Sequence, residues 1–209
     1  MKVLVIETAT SVCSVALLEN GAVIASASEN VGRGHAERLL PMIAALPDGG
    51  RSVSILVDCG PGSFTGIRVG VAAARGLGLG WGVPVNGYSS LALLAAGYGA
   101  EHPGQPVTVA IHGGHGQLFV QSFARNPVYH TNDLASLTPE AAAAMACPTV
   151  IGNAAADVVT LRGAGQASDR ALNAGDAVSL PQNLAGLPPT PIYGRDADAK
   201  PMADREVRA

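Results

Sequence analysis

An apolar strand that runs directly into a glycine-spaced helix constrains this chain more than any other feature. Val53 to Cys59 contains the run Ser54-Ile55-Leu56-Val57 bounded by turn residues, the pattern of a buried strand. Gly60-Pro61-Gly62-Ser63-Phe64-Thr65-Gly66-Ile67-Arg68-Val69-Gly70 follows it, and its glycines permit backbone angles that other residues resist. Ser63 or Thr65 can cap the helix that begins there by accepting from one of its first free N–H groups. Gly66, Gly70 and Ala74 recur every fourth residue. They leave a strip without bulky side chains, along which another backbone can approach closely.

The same run fits none of three enzymatic templates. A Walker A loop has four residues between its glycines and then Lys-Ser/Thr, whereas five separate Gly60 from Gly66 and Ile67-Arg68 follow. A dinucleotide fingerprint needs Gly where Thr65 stands and an acid about 20 residues on, where only Gly, Trp, Val and Pro occur. A nucleophile elbow around Ser63 needs glycines at the positions of Pro61 and Thr65. The run is therefore read as a tight strand-to-helix turn rather than a reactive loop.

Apolar residues make up 48% of the 209, enough to bury a core as one domain or two compact lobes. Charged residues are 14%, 13 basic against 16 acidic, with a net charge of −3. No Lys/Arg cluster exists to follow a phosphate backbone, which argues against tight nucleic-acid binding by this chain alone. The apolar amino-terminal run Met1 to Ile6 is too short for a secretory signal, and no stretch of about 18 uncharged apolar residues exists, so a soluble cytoplasmic protein without membrane contact is expected. Cys13, Cys59 and Cys147 are odd in number and far apart, a pattern of buried thiols rather than of disulfides or a zinc cage.

Strands are expected at Val3–Ile6, Ser14–Leu18 and Ala22–Ser26, the last two joined by the hairpin dipeptide Asn20-Gly21. A helix from His35 to Leu46 follows, with Pro47-Asp48-Gly49-Gly50 as its stop. After the glycine run come a short strand at Val83–Val85 and a helix from Ser89 to Ala96. Strand-strand-strand-helix-strand-helix-strand is the order of a ribonuclease H-like lobe, the unit that actin-like ATPases carry twice. The second half repeats it in weaker form: strands at Val107–Ile111, Leu118–Phe123 and Thr149–Ile151, and helices at Pro139–Met145 and from Asn153. The expected fold is thus α/β, an actin-like ATPase or ribonuclease H-like architecture of two lobes with the second eroded. Residues 1–103 form the first lobe, 104–186 the smaller second lobe and 187–209 an extended tail, with Gly104-Gln105-Pro106 at the boundary.

Four segments in order carry a resemblance: Ile6-Glu7-Thr8-Ala9-Thr10, His35 to Ile43, Gly60 to Gly70, and Pro84 to Leu91. Together they resemble the TsaB (YeaZ) family, the dimerisation subunit of the bacterial machinery that makes threonylcarbamoyladenosine in tRNA. The likeness is dense over the first hundred residues and continues at Ile151-Gly152-Asn153 and Pro191-Ile192-Tyr193-Gly194-Arg195, departing at Gly194, where the family usually has leucine. The resemblance implies an actin-like fold and a non-catalytic scaffold that binds a TsaD-like catalytic subunit through its first two helices. It also implies a TsaE-like ATPase in the same complex, a homodimer when alone, tRNA contact only within the complex, and no cofactor. Family likeness places the two metal-binding histidines of TsaD at Ser90 and Leu94, and a leucine has no lone pair to give a metal. The chain is accordingly expected to have no catalytic or metal-binding residue of its own.

The partner interface is expected on Leu39, Met42, Ile43 and Leu46 of the first helix and Gly66, Val69, Gly70 and Ala73 of the second. Apolar burial at about 25 cal/mol per Å2 would drive the association, and Arg68 and Arg75 would steer it. A charge placed at Met42 or Gly70 is expected to abolish pairing while leaving the fold intact. An alternative is a self-sufficient actin-like enzyme, either a phosphotransferase or a metal-dependent glycopeptidase. Glu7, Thr8 and Thr10 occupy the first phosphate hairpin of such enzymes, but the second reads Ile111-His112-Gly113-Gly114-His115-Gly116-Gln117, without an acid and hydroxyl pair. His112 and His115 have the spacing of a metal pair yet no third ligand in sequence, so an exposed hairpin is the plainer reading. Gly152-Asn153 could bring free N–H groups near a phosphate.

Overall fold

The computed structural model describes residues 1–125 and 128–194. Asn20 and Gly21 turn the chain with φ of 50° and 79°, the left-handed pair that a two-residue hairpin requires. They join strand β2 (Val12–Glu19) to β3 (Ala22–Asn30), and β2 pairs in turn with β1 (Lys2–Glu7). Helix α1 (His35–Ala44) then leads through a 3-10 turn at Pro47–Gly50 into β4 (Ser54–Asp58). Ser63 caps helix α2 (Phe64–Trp81), accepting from the Gly66 N–H at 3.2 Å, and Gly82 closes it at φ 69°. Strand β5 (Val85–Tyr88) and helix α3 (Ser90–Glu101) complete the first half. The sheet order is β3-β2-β1-β4-β5, with β1, β4 and β5 mutually parallel.

The second half repeats that order in shorter pieces. Strands β6 (Gly104–Gly114) and β7 (Gln117–Arg125) form its hairpin, with β8 (Tyr129–His130) and β9 (Ala135–Leu137) both on the far side of β7. Helix α4 (Pro139–Met145) precedes β10 (Thr149–Ile151), and helix α5 (Ala155–Arg162) precedes β11 (Gln166–Ser168). The order β8-β7-β6-β10-β11 mirrors the first sheet strand for strand, with β6, β10 and β11 parallel. Two actin-like lobes, the second reduced, are therefore present in one chain. The tripeptide Gly104-Gln105-Pro106 opens β6, the first strand of the second sheet, where the pairing with β7 slips between Gly104 and Val107. Proline has no N–H to give a ladder, and the slip absorbs it.

Helix α3 joins the halves. Ser90 through Tyr98 are all buried, including Leu91, Leu93 and Leu94 at 1% exposure or less. A helix apolar on every side belongs inside a protein, and each such leucine contributes about 1.5–3 kcal/mol on burial. One apolar cluster accordingly takes in Leu4, Leu17 and Ile55 of the first sheet, α3, and Val109, Phe123 and Ile151 of the second.

Described residues of the expected tail are anchored rather than loose. Leu187 exchanges both backbone hydrogen bonds with Gly87 on β5, and the Ile192 N–H donates to the Cys59 carbonyl at 2.7 Å. Gly87 leaves room for the crossing, since a Cβ there would meet Cys59 Sγ at 2.4 Å. Gly194 lies flat against Phe119 of β7, whose ring would sit 2.4 Å from an added Cβ. That contact accounts for glycine where the resemblance leads one to expect leucine. Arg195 and the rest of the tail to 209 lie outside the described residues.

Candidate functional site

Parallel strands β1 and β4 end side by side, so Glu7 and Asp58 meet at their carboxyl ends, both fully buried. Glu7 Oε1 accepts from the Ala9 N–H at 2.6 Å, and Asp58 Oδ1 accepts from Ser90 Oγ at 2.7 Å and from the Gly60 N–H. Tyr88 Oη donates to the Ile6 carbonyl at 3.1 Å and lies 3.4 Å from Glu7 Oε2. Burial first, and the neighbouring Asp58 charge second, push the Glu7 carboxyl well above the ordinary value of 4.5. Burial raises the Asp58 carboxyl as well, which its contacts with Glu7, Ser90 and the Gly60 N–H oppose. Asp58 Oδ2 is buried without a hydrogen-bond partner among the described residues. A carboxyl sealed in this way fixes two loops; it cannot reach a substrate.

Thr8 is equally committed, fully buried with its hydroxyl donating to the Gly66 carbonyl at 2.8 Å. Beyond it a cleft of about 560 Å3 lies between the two sheets' turns, bordered by Thr10, Ser11, Arg33, Phe64, His112 and His115. His112 is exposed and 3.7 Å from Asp157, and its N–H donates to Asn153 Oδ1 at 2.9 Å. Gly152-Asn153 thus braces the second turn. Among the described residues no three His, Cys, Asp or Glu side chains come together as a metal site. Ser90 serves Asp58, and Leu94 is core.

Of the eight residues expected to face a partner, six are buried within the chain itself. Leu39, Met42, Ile43 and Leu46 are 1–7% exposed and belong to the chain's own core, because their i, i+3, i+4, i+7 spacing makes one stripe and the sheet occupies it. Gly66 and Gly70 are also buried: a Cβ on Gly66 would lie 2.0 Å from the Thr8 carbonyl oxygen, and one on Gly70 2.3 Å from Thr8 Oγ1. The close approach written into that strip is between α2 and its own β1–β2 turn. Val69 and Ala73 are half-buried at the edge of the same core. A charge at Met42 or Gly70 would consequently disrupt the fold itself.

What the two helices leave open is a different stripe. Phe64, Arg68, Ala72, Arg75 and Leu79 follow one another at intervals of four, four, three and four along α2, all exposed, with Leu79 at 88%. Leu40, at 51%, is exposed on the neighbouring α1. Sequence spacing contained this alternative stripe, but the larger number of aliphatic residues drew attention to the inner one.

Residues 23–146 match the family model described as TsaD, tRNA N6-adenosine threonylcarbamoyltransferase. The tRNA threonylcarbamoyladenosine biosynthesis protein TsaB of Escherichia coli is 37% identical over 148 residues, 67% of this chain and 64% of that protein. A crystal structure of YeaZ from Pseudomonas aeruginosa superposes with a TM-score of 0.79 at 28% identity, covering 92% of this chain and 99% of that one. The chain belongs to the TsaB (YeaZ) family. Its match spans a little under two thirds of the E. coli relative's own length. Ethanolamine utilization protein EutJ from Carboxydothermus hydrogenoformans, at 8% identity and a TM-score of 0.53, shares the fold alone. Among the described residues no helix of this TsaB-family chain is long and apolar enough to cross a membrane.

Proposed function

We propose that this TsaB-family chain is a non-catalytic docking subunit in the synthesis of N6-threonylcarbamoyladenosine at position 37 of tRNA. It binds and activates a TsaD-like catalytic subunit, works beside a TsaE-like ATPase, touches tRNA only within that cytoplasmic complex, and forms a homodimer when alone. The observation that carries this reading is a contrast on one lobe. The acids at the strand ends are sealed and hydrogen-bonded to the chain's own loops, while an unpartnered stripe of α2 stays open to solvent. Uncovered apolar side chains rimmed by arginine are the usual mark of a protein contact. Among the described residues no acid borders the cleft, which counts against a self-sufficient phosphotransferase or glycopeptidase.

Reconstitution tests the proposal. The TsaD-like and TsaE-like subunits of the same genome would be combined with substrate tRNA, with and without this chain, measuring modified nucleoside and complex size. Product and a larger complex only with the chain present are expected. Equal product without it would remove the assignment, and ATP hydrolysis by the purified chain alone would favour the enzyme reading.

A further inference from the structure

Three side chains gather at the amino-terminal end of the open stripe. The Arg68 guanidinium lies 3.6 Å from the centroid of the Phe64 ring and 5.6 Å from that of Tyr193. Arg68 Nε and Nη2 both donate to Tyr193 Oη, at 3.1 and 2.9 Å. The two rings sit 5.7 Å apart at 36°, and both are more than half exposed. The tail thus contributes one residue to a helix face, held there by the Leu187–Gly87 and Ile192–Cys59 backbone bonds. Stacking on aromatic rings fixes an arginine that would otherwise be mobile, which lowers the entropic cost of binding through it.

The cluster's hydrogen-bonding capacity is one-sided. Tyr193 Oη already accepts two N–H groups, so its own proton points to an outside acceptor. Arg68 Nη1 has no partner, and Arg68 and Arg75 form no ion pair, among the described residues. Helix α2 contains these two arginines and no acid in its 18 residues. A phenol O–H and a guanidinium N–H side by side, with no acceptor for them among the described residues, suit a carboxylate. The stripe's other members, Ala72, Leu79 and Phe64, suit the apolar side of a helix, not a phosphate backbone.

We propose that Phe64, Arg68 and Tyr193 form the anchor of the partner interface and receive an aspartate or glutamate side chain from a helix of the TsaD-like subunit. The inference rests on the docking function proposed above and adds the tail to the interface. Buried aromatic and arginine residues commonly dominate binding energy, and such a trio at one end of a helix stripe also fixes its register.

Titration calorimetry of the full chain with the TsaD-like subunit of the same genome, at 0.1 and 0.5 M salt, tests it, with thermal unfolding and tRNA affinity measured in parallel. Arg68→Gln and Tyr193→Ala should each weaken binding about tenfold or more, and Tyr193→Phe, which keeps the ring and loses the donor, about threefold. The Arg68→Gln complex should also be less sensitive to salt than the wild type, with an unchanged unfolding midpoint. Full affinity in Arg68→Gln and Tyr193→Phe overturns the anchor while leaving the docking function standing. A loss confined to tRNA binding overturns it in favour of a phosphate contact. No binding by the wild-type chain overturns both.

Discussion

The ends of corresponding strands in the two lobes have been put to opposite uses. In the first lobe β1 and β4 end in Glu7 and Asp58, fully buried and hydrogen-bonded to the loops beside them. In the second, β6 and β10 lead to His112 and Asn153, exposed and joined by one amide-to-backbone hydrogen bond. The same topology brings polar groups to the turns after corresponding strands, and the depth of packing decides what they do. Where α2 presses onto the turn through Gly66, the acids become internal struts; where the shorter α5 leaves the turn open, the polar groups remain on the surface.

The contrast can be broken most forcefully at Glu7. Glu7→Ala leaves the buried Ala9 N–H without its acceptor and a cavity where the side chain was, and should cost about 3–5 kcal/mol in urea unfolding. Gly66→Ala places a methyl against the Thr8 carbonyl and should cost about 2–3 kcal/mol by the same measurement. A smaller effect separates the wild type from Glu7→Gln, which reproduces the protonated carboxyl without titrating. The Glu7 proton stabilises the fold fully below its ordinary value of 4.5, and that contribution is lost as pH rises through the raised folded-state value. Stability of the wild type relative to Glu7→Gln should then fall with rising pH, and a flat difference would show that no proton is held. In the second lobe, Asn153→Ala should cost about 1 kcal/mol and His115→Ala less than about 0.5 kcal/mol.

Much of the architecture was legible because local chemistry and tertiary packing agree. The Asn20-Gly21 turn, the Ser63 cap, and the elements at Pro139–Met145 and Thr149–Ile151 appear where the sequence places them. Strand β3 runs four residues past its apolar signal, since Glu29 and Asn30 are held by ladder bonds to Cys13 and Val12 rather than by burial. Strands β8, β9 and β11 are two or three residues long, too short for any period to show. The buried pairing of Glu7 with Asp58 was missed, although an acid at the end of each of two apolar strands was its signal. The outward stripe of the two helices was misread for a more basic reason. Periodicity reveals that a helix has a stripe; only the neighbouring sheet reveals whether Leu39 and Gly66 or Leu40 and Arg68 turn inward.

The strap from Leu187 to Gly194 bears on how the protein is made. Strand β5 is translated early, but its outer edge at Gly87 is completed only when Leu187 emerges, roughly a hundred residues and about 5–20 s later at ordinary ribosomal speed. The outer edge of β5 and the face bearing Arg68 are thus completed long after their own strand and helix have been made. A partner that reads Tyr193 would discriminate between nascent chains that stop short of the strap and chains that include it.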